Sequence, residues 1–411
     1  MAAPERRHMQ NGNGTRALVF AKCAKMDWAD LNLRHVRATV EIAERGTMNA
    51  AALAVNLTQP AITQALARLE AMLGVTLFER RHDGMAVTPA GALLVPRFRA
   101  ALDHIASPHV TMARLRALLA LADGGSYPAA SAATGLSMPT LHRAISDLAL
   151  SLRRPLVRRR GKVVELTDAG ARTARSFRLA RVELVAALAE LAALNGRETR
   201  SIAIGAMPLS RARALPDAVS RFLRKRPDVC LTILEGSRAE LTEPLRNGAI
   251  DLMVGALRDP LIEEDFAQVP LFDDQPVVIA RAGHPLAGRR ASLKELAHYP
   301  WVTASAGAPL RESWESLFAD GGLPPPAVPI ESGSVMTIRQ LLIGNDFLTL
   351  LSPDQVSVEL EAGWLCRIET DVMPASRTIG MTVRASWRPT IVQAEFMADL
   401  QAVARGRATK N

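Results

Sequence analysis

Gln59, Thr63, Gln64 and Arg68 fall on successive turns of one stretch, opposite an apolar stripe of Ile62, Leu66, Leu69 and Leu73. Amide, hydroxyl and guanidinium groups displayed by a helix in this way can read base edges in a DNA major groove. Arg80, Arg81 and His82 follow as a short cationic run able to neutralise phosphates. Nothing is spaced for covalent catalysis. GSRAE and SGSV set serine beside glycine, but neither is a G-x-S-x-G elbow, and no Gly-rich phosphate loop or Ser/His/Asp grouping occurs. The eight histidines are scattered with no H-E-x-x-H spacing, so no catalytic residue, metal ligand or cofactor is expected. Cys23, Cys230 and Cys366 lie far apart, and their odd number leaves free thiols.

The elements that position these groups follow from periodicity. Leu33, Val36, Val40 and Ile42 predict a helix stopped by Gly46, and a short Ala-rich helix runs from about Asn49 to Val55. Thr58 is placed to cap the next helix, with Pro60 in its first turn and Gly74 at its end. VTLFERRHDGMAVT then alternates around a DG turn as a small hairpin does. Together these describe a winged helix-turn-helix. Two uses fit it: groove reading by a face of Thr58, Gln59, Ala61, Thr63, Gln64 and Arg68, or a trihelical protein-interaction module.

The sequence matches itself, without a gap, at an offset of 79 residues: Gly46 falls on Gly125, Leu57 on Leu136, Pro60 on Pro139, Leu69 on Leu148, Leu77 on Leu156, Arg80 on Arg159, Thr88 on Thr167 and Gly91 on Gly170. Two copies of one small domain are the simplest reading. Charge divides accordingly. Residues 1–199 hold 27 Lys and Arg against 16 Asp and Glu, a net +11, whereas residues 200–411 hold 23 against 25, a net −2. A basic excess the size of a domain suits a polyanion, although Arg-rich helices can also carry it as a solvated face.

Thr167 introduces a segment from Asp168 to Leu194 that lacks Gly and Pro after Gly170 and reads as one long helix. Phe177, Leu184 and Leu191 repeat every seven residues with Leu188 between them, the pattern of a helix seeking another helix. Its partner is either the same helix of a second chain or the core of its own. In the first copy the matching stretch is broken by Pro96 and reads as a shorter connector. Beyond Gly196, strands and helices alternate: RSIAIGAM, Ser210 to Lys225, VCLTILEG, Arg238 to Asn247 and IDLMVGAL form a βαβαβ series with a parallel sheet. VPLFDDQPVVIARAGHPL suggests a crossover to a second lobe, TIGMTVRAS a return, and Thr390 to Ala404 a closing helix. No run approaches the roughly 20 apolar residues of a membrane span, and the charged, glycine-bearing first residues lack the apolar core of a secretory signal. A cytoplasmic protein without membrane association is expected.

The string MNAAALAVNLTQPAITQALARLEAMLGVTLFERR, followed by TPAG, closely resembles the DNA-binding signature of LysR-type transcriptional regulators. The second copy, SYPAASAATGLSMPTLHRAISDLALSLRRPLVRRRGKVVELTDAG, resembles it more weakly, with Met138 in place of Gln59 and Pro155 and Val157 in place of Thr76 and Phe78. The resemblance implies a multidomain chain: tandem all-α winged helix-turn-helix units, a long linker helix, and a two-lobed α/β effector domain like periplasmic binding proteins. The expected divisions are a disordered tail over 1–30, a first winged unit over 31–90, a connector over 91–109, a second unit over 110–167, the linker over 168–196 and the effector domain over 197–405. It implies an operator in double-stranded DNA and a homodimer or tetramer built through the long helix. Ser137, Thr140, His142 and Arg143, with Arg158, Arg159 and Arg160 on the wing, form the second unit's DNA-facing set, unless that unit only packs. A small-molecule effector, a carboxylate such as an aromatic or sugar acid in the family's pattern, would lie among Met207, Pro208, Leu209, Ser210, Ser237, Thr303, Ser305 and Met336. A helix opening near Ser210 would favour its anionic group, or Ser210 would simply cap that helix. The competing class is an enzyme using the α/β domain, for which no catalytic motif is present.

Overall fold

The computed structural model describes residues 26–82, 84–161, 163–194, 200–261 and 263–408. They fall into two compact units divided between Thr199 and Arg200. In the first unit, α1 (Leu33–Arg45), α2 (Met48–Ala54), α3 (Gln59–Leu73), the antiparallel hairpin β1 (Phe78–Arg81) and β2 (Gly84–Val87), and α4 (Pro89–Ile105) follow in order. The series recurs as α5 (Met112–Gly124), α6 (Tyr127–Thr134), α7 (Met138–Ser151), hairpin β3 (Val157–Arg160) and β4 (Val163–Leu166), and α8 (Asp168–Leu194). Each of α1 to α7 starts at a polar residue whose side chain accepts a backbone N–H: Asn32, Thr47, Thr58, Thr88, Thr111, Ser126 and Ser137. Residues 1–25 of the expected tail lie outside the described residues. Its last part is ordered, since Trp28–Asp30 form a 3-10 turn capped by Asp27.

The repeat holds down to single bonds. The Thr88 hydroxyl donates to the Thr76 carbonyl at 2.8 Å and accepts from the Gly91 N–H at 3.1 Å; Thr167 does the same with Pro155 at 2.7 Å and Gly170 at 3.0 Å. Gly91 and Gly170 are needed for one reason, because a Cβ on either would collide with the carbonyl of Leu77 or Leu156. Arg99 pairs with Glu44 across α1 and α4, and 79 residues later Arg178 pairs with Asp123 across α5 and α8.

Two expectations are corrected here. Pro96 does not break the connector, since α4 runs through it from Pro89 to Ile105. Pro96 sits on the exposed side of α4, and packing of the opposite side offsets a cost of about 3 kcal/mol. That packing is the second correction. Phe177, Leu184 and Leu191 are buried against the same chain's α4, in one core with Leu94, Phe98, Ala101 and Ile105. The seam read as a contact between two chains is therefore filled within one. Arg97 lies in it, its side chain 6% exposed, bonded to Glu183 at 3.0 Å and to Glu190 at 2.7 Å.

The second unit has two lobes. β5 (Arg200–Ala206), α9 (Ala214–Lys225), β6 (Val229–Glu235), α10 (Arg238–Arg246) and β7 (Leu252–Ala256) give the expected βαβαβ order. Strand order is β6-β5-β7-β15-β8, in which β5 is parallel to β6 and β7, while β8 (Phe266–Asp274) and β15 (Arg377–Arg384) are bonded antiparallel to each other and β15 is also antiparallel to β7. β15 is the return strand foreseen at TIGMTVRAS. The other lobe is a sheet ordered β10-β14-β9-β13, from β9 (Val277–Arg281), β10 (Arg290–Ala291), β13 (Thr349–Leu351) and β14 (Leu365–Thr370), plus the pair β11 (Val302–Thr303) and β12 (Ile330–Glu331). Its helices are α11 (Leu293–Leu296), α12 (Pro309–Asp320), α13 (Val335–Gly344) and α14 (Ser357–Glu361), and α15 (Ile391–Ala408) closes the chain against α9 in the first lobe. Trp301, Trp314 and Phe318 pack as a fully buried aromatic cluster under the second lobe's sheet.

Arg97→Met leaves two carboxylates in the seam without their cation and is expected to cost about 3 to 5 kcal/mol. Adding Glu183→Leu and Glu190→Leu should restore most of it. Urea denaturation of the three proteins checks this; a single variant as stable as the parent would show that the ion cluster does not hold the seam.

Candidate nucleic-acid interface and effector cleft

α3 is positioned by its buried side and its two ends. Ile62, Ala65, Leu66, Leu69 and Leu73 are buried, and the Thr58 hydroxyl accepts the Ala61 N–H at 3.4 Å. This leaves Thr58, Gln59, Gln64 and Arg68 exposed, with Ala61 and Thr63 half-buried. Thr63 already donates its hydroxyl to the Gln59 carbonyl at 3.0 Å, so it retains only acceptor capacity. Arg68 stands near His35 of α1; burial first, and then that cation, hold the His35 imidazole below its ordinary range. Glu70, which sequence reasoning passed over, sets the wing. Its carboxylate accepts the N–H groups of Leu77 at 2.6 Å and Phe78 at 3.3 Å, tying the start of β1 to α3. The Met85 N–H donates to the Gly46 carbonyl at 2.8 Å and fastens β2 to the end of α1. Arg80, Arg81 and His82 project exposed from this anchored hairpin.

The second unit repeats the scaffold with altered chemistry. Ser137 caps α7, and its hydroxyl shares one hydrogen bond with that of Thr140 at 2.8 Å, which uses one of the two hydroxyl protons within the cap. His142 and Arg143 are exposed, with the His142 ring 5.5 Å from that of Tyr127, whose phenol burial pushes upward in pKa. Asp147 stands where the first unit has Arg68 and lies 3.7 Å from Arg114, and Ala149 replaces Glu70. On the wing Arg158 is held by Glu165 at 3.2 Å, while Arg159 and Arg160 are exposed. Arg153 and Arg154, also exposed, extend the cationic surface, Arg153 in left-handed backbone at φ 51° where the first unit has Gly74.

The effector set is brought together only in part. Met207, Leu209 and Ser210 are buried in a tight turn after β5, in which the Ser210 hydroxyl donates to the Met207 carbonyl at 2.8 Å. Ser210 neither opens nor caps a helix: α9 starts at Ala214, and its N-cap is Arg213, with no side-chain cap. The turn satisfies the serine internally, so the helix begins one turn later than the sequence suggests. Ser237 does cap α10, but its hydroxyl and N–H both go to Glu240, at 2.8 and 2.7 Å. In the other lobe the Thr303 hydroxyl accepts from Arg311 at 2.8 Å, Ser305 is exposed and Met336 is 69% exposed at the start of α13. Among the described residues no hydrogen bond links Met207, Ser210 or Ser237 to Thr303, Ser305 or Met336. Two longer ion pairs do join the lobes: Arg213 to Glu361 of α14 at 3.9 Å, and Arg258 to Glu312 of α12 at 4.0 Å. Both start beyond the carboxyl ends of the first lobe's parallel strands, where open α/β sheets bind ligands. No group of three or more His, Cys, Asp or Glu that could hold a metal occurs among the described residues, and no described helix is long and apolar enough to cross a membrane.

A tandem winged helix-turn-helix unit joined to a two-lobed α/β domain defines a ligand-responsive DNA-binding protein. The family model for bacterial regulatory helix-turn-helix proteins of the lysR family matches twice, at 33–92 and 112–171, and that for the LysR substrate binding domain matches 195–405. The chain belongs to the LysR family of DNA-binding transcriptional regulators. It is 32% identical over 385 residues to the HTH-type transcriptional regulator GalR of Pseudomonas putida, covering 90% of this chain and 97% of that one. The HTH-type transcriptional regulator PcaQ of Agrobacterium fabrum is 24% identical over 362 residues, covering 88% of this chain and 91% of its own. Among solved structures, a full-length OxyR variant from Pseudomonas aeruginosa shares the fold, with a TM-score of 0.55 at 22% identity over 72% of this chain and 95% of that one.

Glu70→Ala removes the acceptor of two wing N–H groups and is expected to destabilise the first unit by about 1 to 3 kcal/mol. Denaturant melts measure the loss. An unchanged midpoint would mean that the β2 contact with α1 anchors the wing alone.

Proposed function

We propose that the chain reads its operator mainly with α3. Thr58, Gln59, Ala61, Thr63, Gln64 and Arg68 face the major groove, and Arg80, Arg81 and His82 of the wing contact phosphate. What carries this reading is the exposure of Gln59, Gln64 and Arg68 along one side of a helix whose other side is wholly buried. The effector is a small carboxylate bound between the lobes of the second unit, close to the turn Met207, Pro208, Leu209 and Ser210, with Ser237, Thr303, Ser305 and Met336 around it. Support comes from α9, whose first N–H groups have no side-chain cap and whose N-cap position carries Arg213. The regulator works in the cytoplasm, where its DNA is. It assembles as a homodimer or tetramer through a surface other than the filled α4–α8 seam; the edge strand β6, with Ile233 and Leu234 each more than 40% exposed, suits that use.

Selection of duplexes from a random library by the full-length protein, followed by binding of the variants, tests the DNA reading. Gln59→Ala should lose about 1 to 3 kcal/mol of discrimination between selected and unselected duplexes. Arg81→Ala should weaken both equally and lower the salt slope by about one. Selectivity unaltered by Gln59→Ala would remove this residue from base reading.

For the effector, thermal-shift titration with a panel of aromatic and sugar acids and their uncharged amides should find binding that Arg213→Ala weakens about tenfold for the acids alone. Equal loss for acids and amides would place the carboxylate elsewhere.

A further inference from the structure

Matching positions of the repeat fill the α4–α8 seam from both sides. Phe98 and Phe177 stand 79 residues apart and both are fully buried in it; Ala101 and Ala180, and Ile105 and Leu184, are further such pairs. One patch meeting its own copy is the signature of a twofold interface between identical subunits. Here both copies belong to one chain. The Arg97 cluster bonds the first unit's last helix to the second's, and the 3-10 turn at Trp28–Asp30, which precedes the first unit, also packs on α8. A single hydrophobic core runs through α1, α3, α4, α5 and α8. The matching helices α3 and α7 are thus mounted on one body and not on a flexible tether.

The second winged unit also carries an exposed, strongly basic surface. Thr140, His142 and Arg143 are exposed on α7, and Arg153, Arg154, Arg158, Arg159 and Arg160 are exposed around its wing. We infer that each chain is a prepaired reader of double-stranded DNA, in which α3 and α7 engage two subsites of the same duplex at a fixed separation. The second subsite is held chiefly through phosphate by Arg153, Arg154, Arg159 and Arg160, because Met138 and Asp147 replace the polar Gln59 and cationic Arg68. This rests on the DNA reading proposed above and adds the stoichiometry of subsites to chains.

Directed cleavage tests it on the full-length protein. With Cys23, Cys230 and Cys366 changed to serine, a single cysteine is introduced by Ala67→Cys or by Ser146→Cys. These are matching exposed positions on α3 and α7 outside the named contacts. Each carries an iron chelate that cuts nearby DNA, and the probes are duplexes selected from a random library by the unaltered protein, with bound chains counted by mass photometry. The expected result is one cleavage centre from position 67 and one from position 146 per bound chain, at the same separation in every selected duplex. Cutting from position 67 without cutting from position 146 would overturn the inference while leaving α3 as the reader. Separations that vary between duplexes would also overturn it, by showing that the two helices are not fixed. If the unaltered protein selects no sequence, the proposed DNA reading itself fails, and this inference falls with it.

Discussion

The first half of the molecule depends on one buried cation. Arg97 brings a guanidinium into an apolar seam, and it is tolerated there because Glu183 and Glu190 meet it at 3.0 and 2.7 Å. Leu, Phe and Ala alone would let two helices pack in several registers. A slide of one turn moves a side chain about 5.4 Å along the axis, far enough to strand this guanidinium and both carboxylates in a low dielectric. The ion cluster therefore selects one alignment of α4 on α8. With that alignment come the separation of the two wings and the separation of α3 from α7. The match of Arg97 in the repeat is Ser176, so the charge lies on one side of an otherwise self-matching seam.

What the two copies share and what they lack divide along physical lines. The capping hydroxyls, the glycines beneath Leu77 and Leu156 and the Arg99–Glu44 type of ion pair all persist, because each satisfies a backbone group or closes a contact that the fold requires. Most of the groups that differ are exposed ones that the fold does not need, the exception being the wing anchor Glu70, which accepts two backbone N–H groups in the first unit. Gln59 gives way to Met138 and Arg68 to Asp147, and the anchor of the wing at Glu70 becomes Ala149. Arginines accumulate meanwhile around the second wing, and Arg153 even occupies a left-handed position that Gly74 fills in the first unit. A basic surface without an ordered polar reading face suits attraction to a polyanion better than discrimination among bases.

Much of this was legible in the sequence. The 79-residue offset, the cap at Thr58, the span of α8 from Asp168 to Leu194 and the return of β15 to the first lobe all follow from local pattern. Heptad spacing at Phe177, Leu184 and Leu191 announces that α8 needs a helical partner, but spacing carries no information on which chain supplies it. Pro96 misled for a related reason: a local penalty was weighed without the tertiary packing that outweighs it. Besides Glu70, an overlooked signal was Glu183 and Glu190, seven residues apart on the apolar side of α8, which required a cation opposite. Ser210 was misread because a serine before a helical run has the composition of a cap, whereas its hydroxyl is consumed by the Met207 carbonyl inside the turn.

The lobes of the second unit are joined by two chain crossings, between β8 and β9 and between β14 and β15, and by ion pairs at 3.9 and 4.0 Å whose side chains are more than a third exposed. Pairs of that length in water contribute roughly 1 kcal/mol or less, too little to lock the lobes at one spacing. The buried aromatic core of the second lobe and the β-sheet of the first are rigid by comparison. A change in lobe spacing would have to be absorbed at the crossings, beside the Asp274–Arg377 ion pair at 2.9 Å that joins β8 to β15. A ligand shifts such an equilibrium only by its difference in affinity for the two spacings. Arg213 pairs with Glu361 across the cleft at 3.9 Å, so the anion proposed to bind beside Arg213 would have to replace that carboxylate, exchanging a weak link between the lobes for contacts of its own.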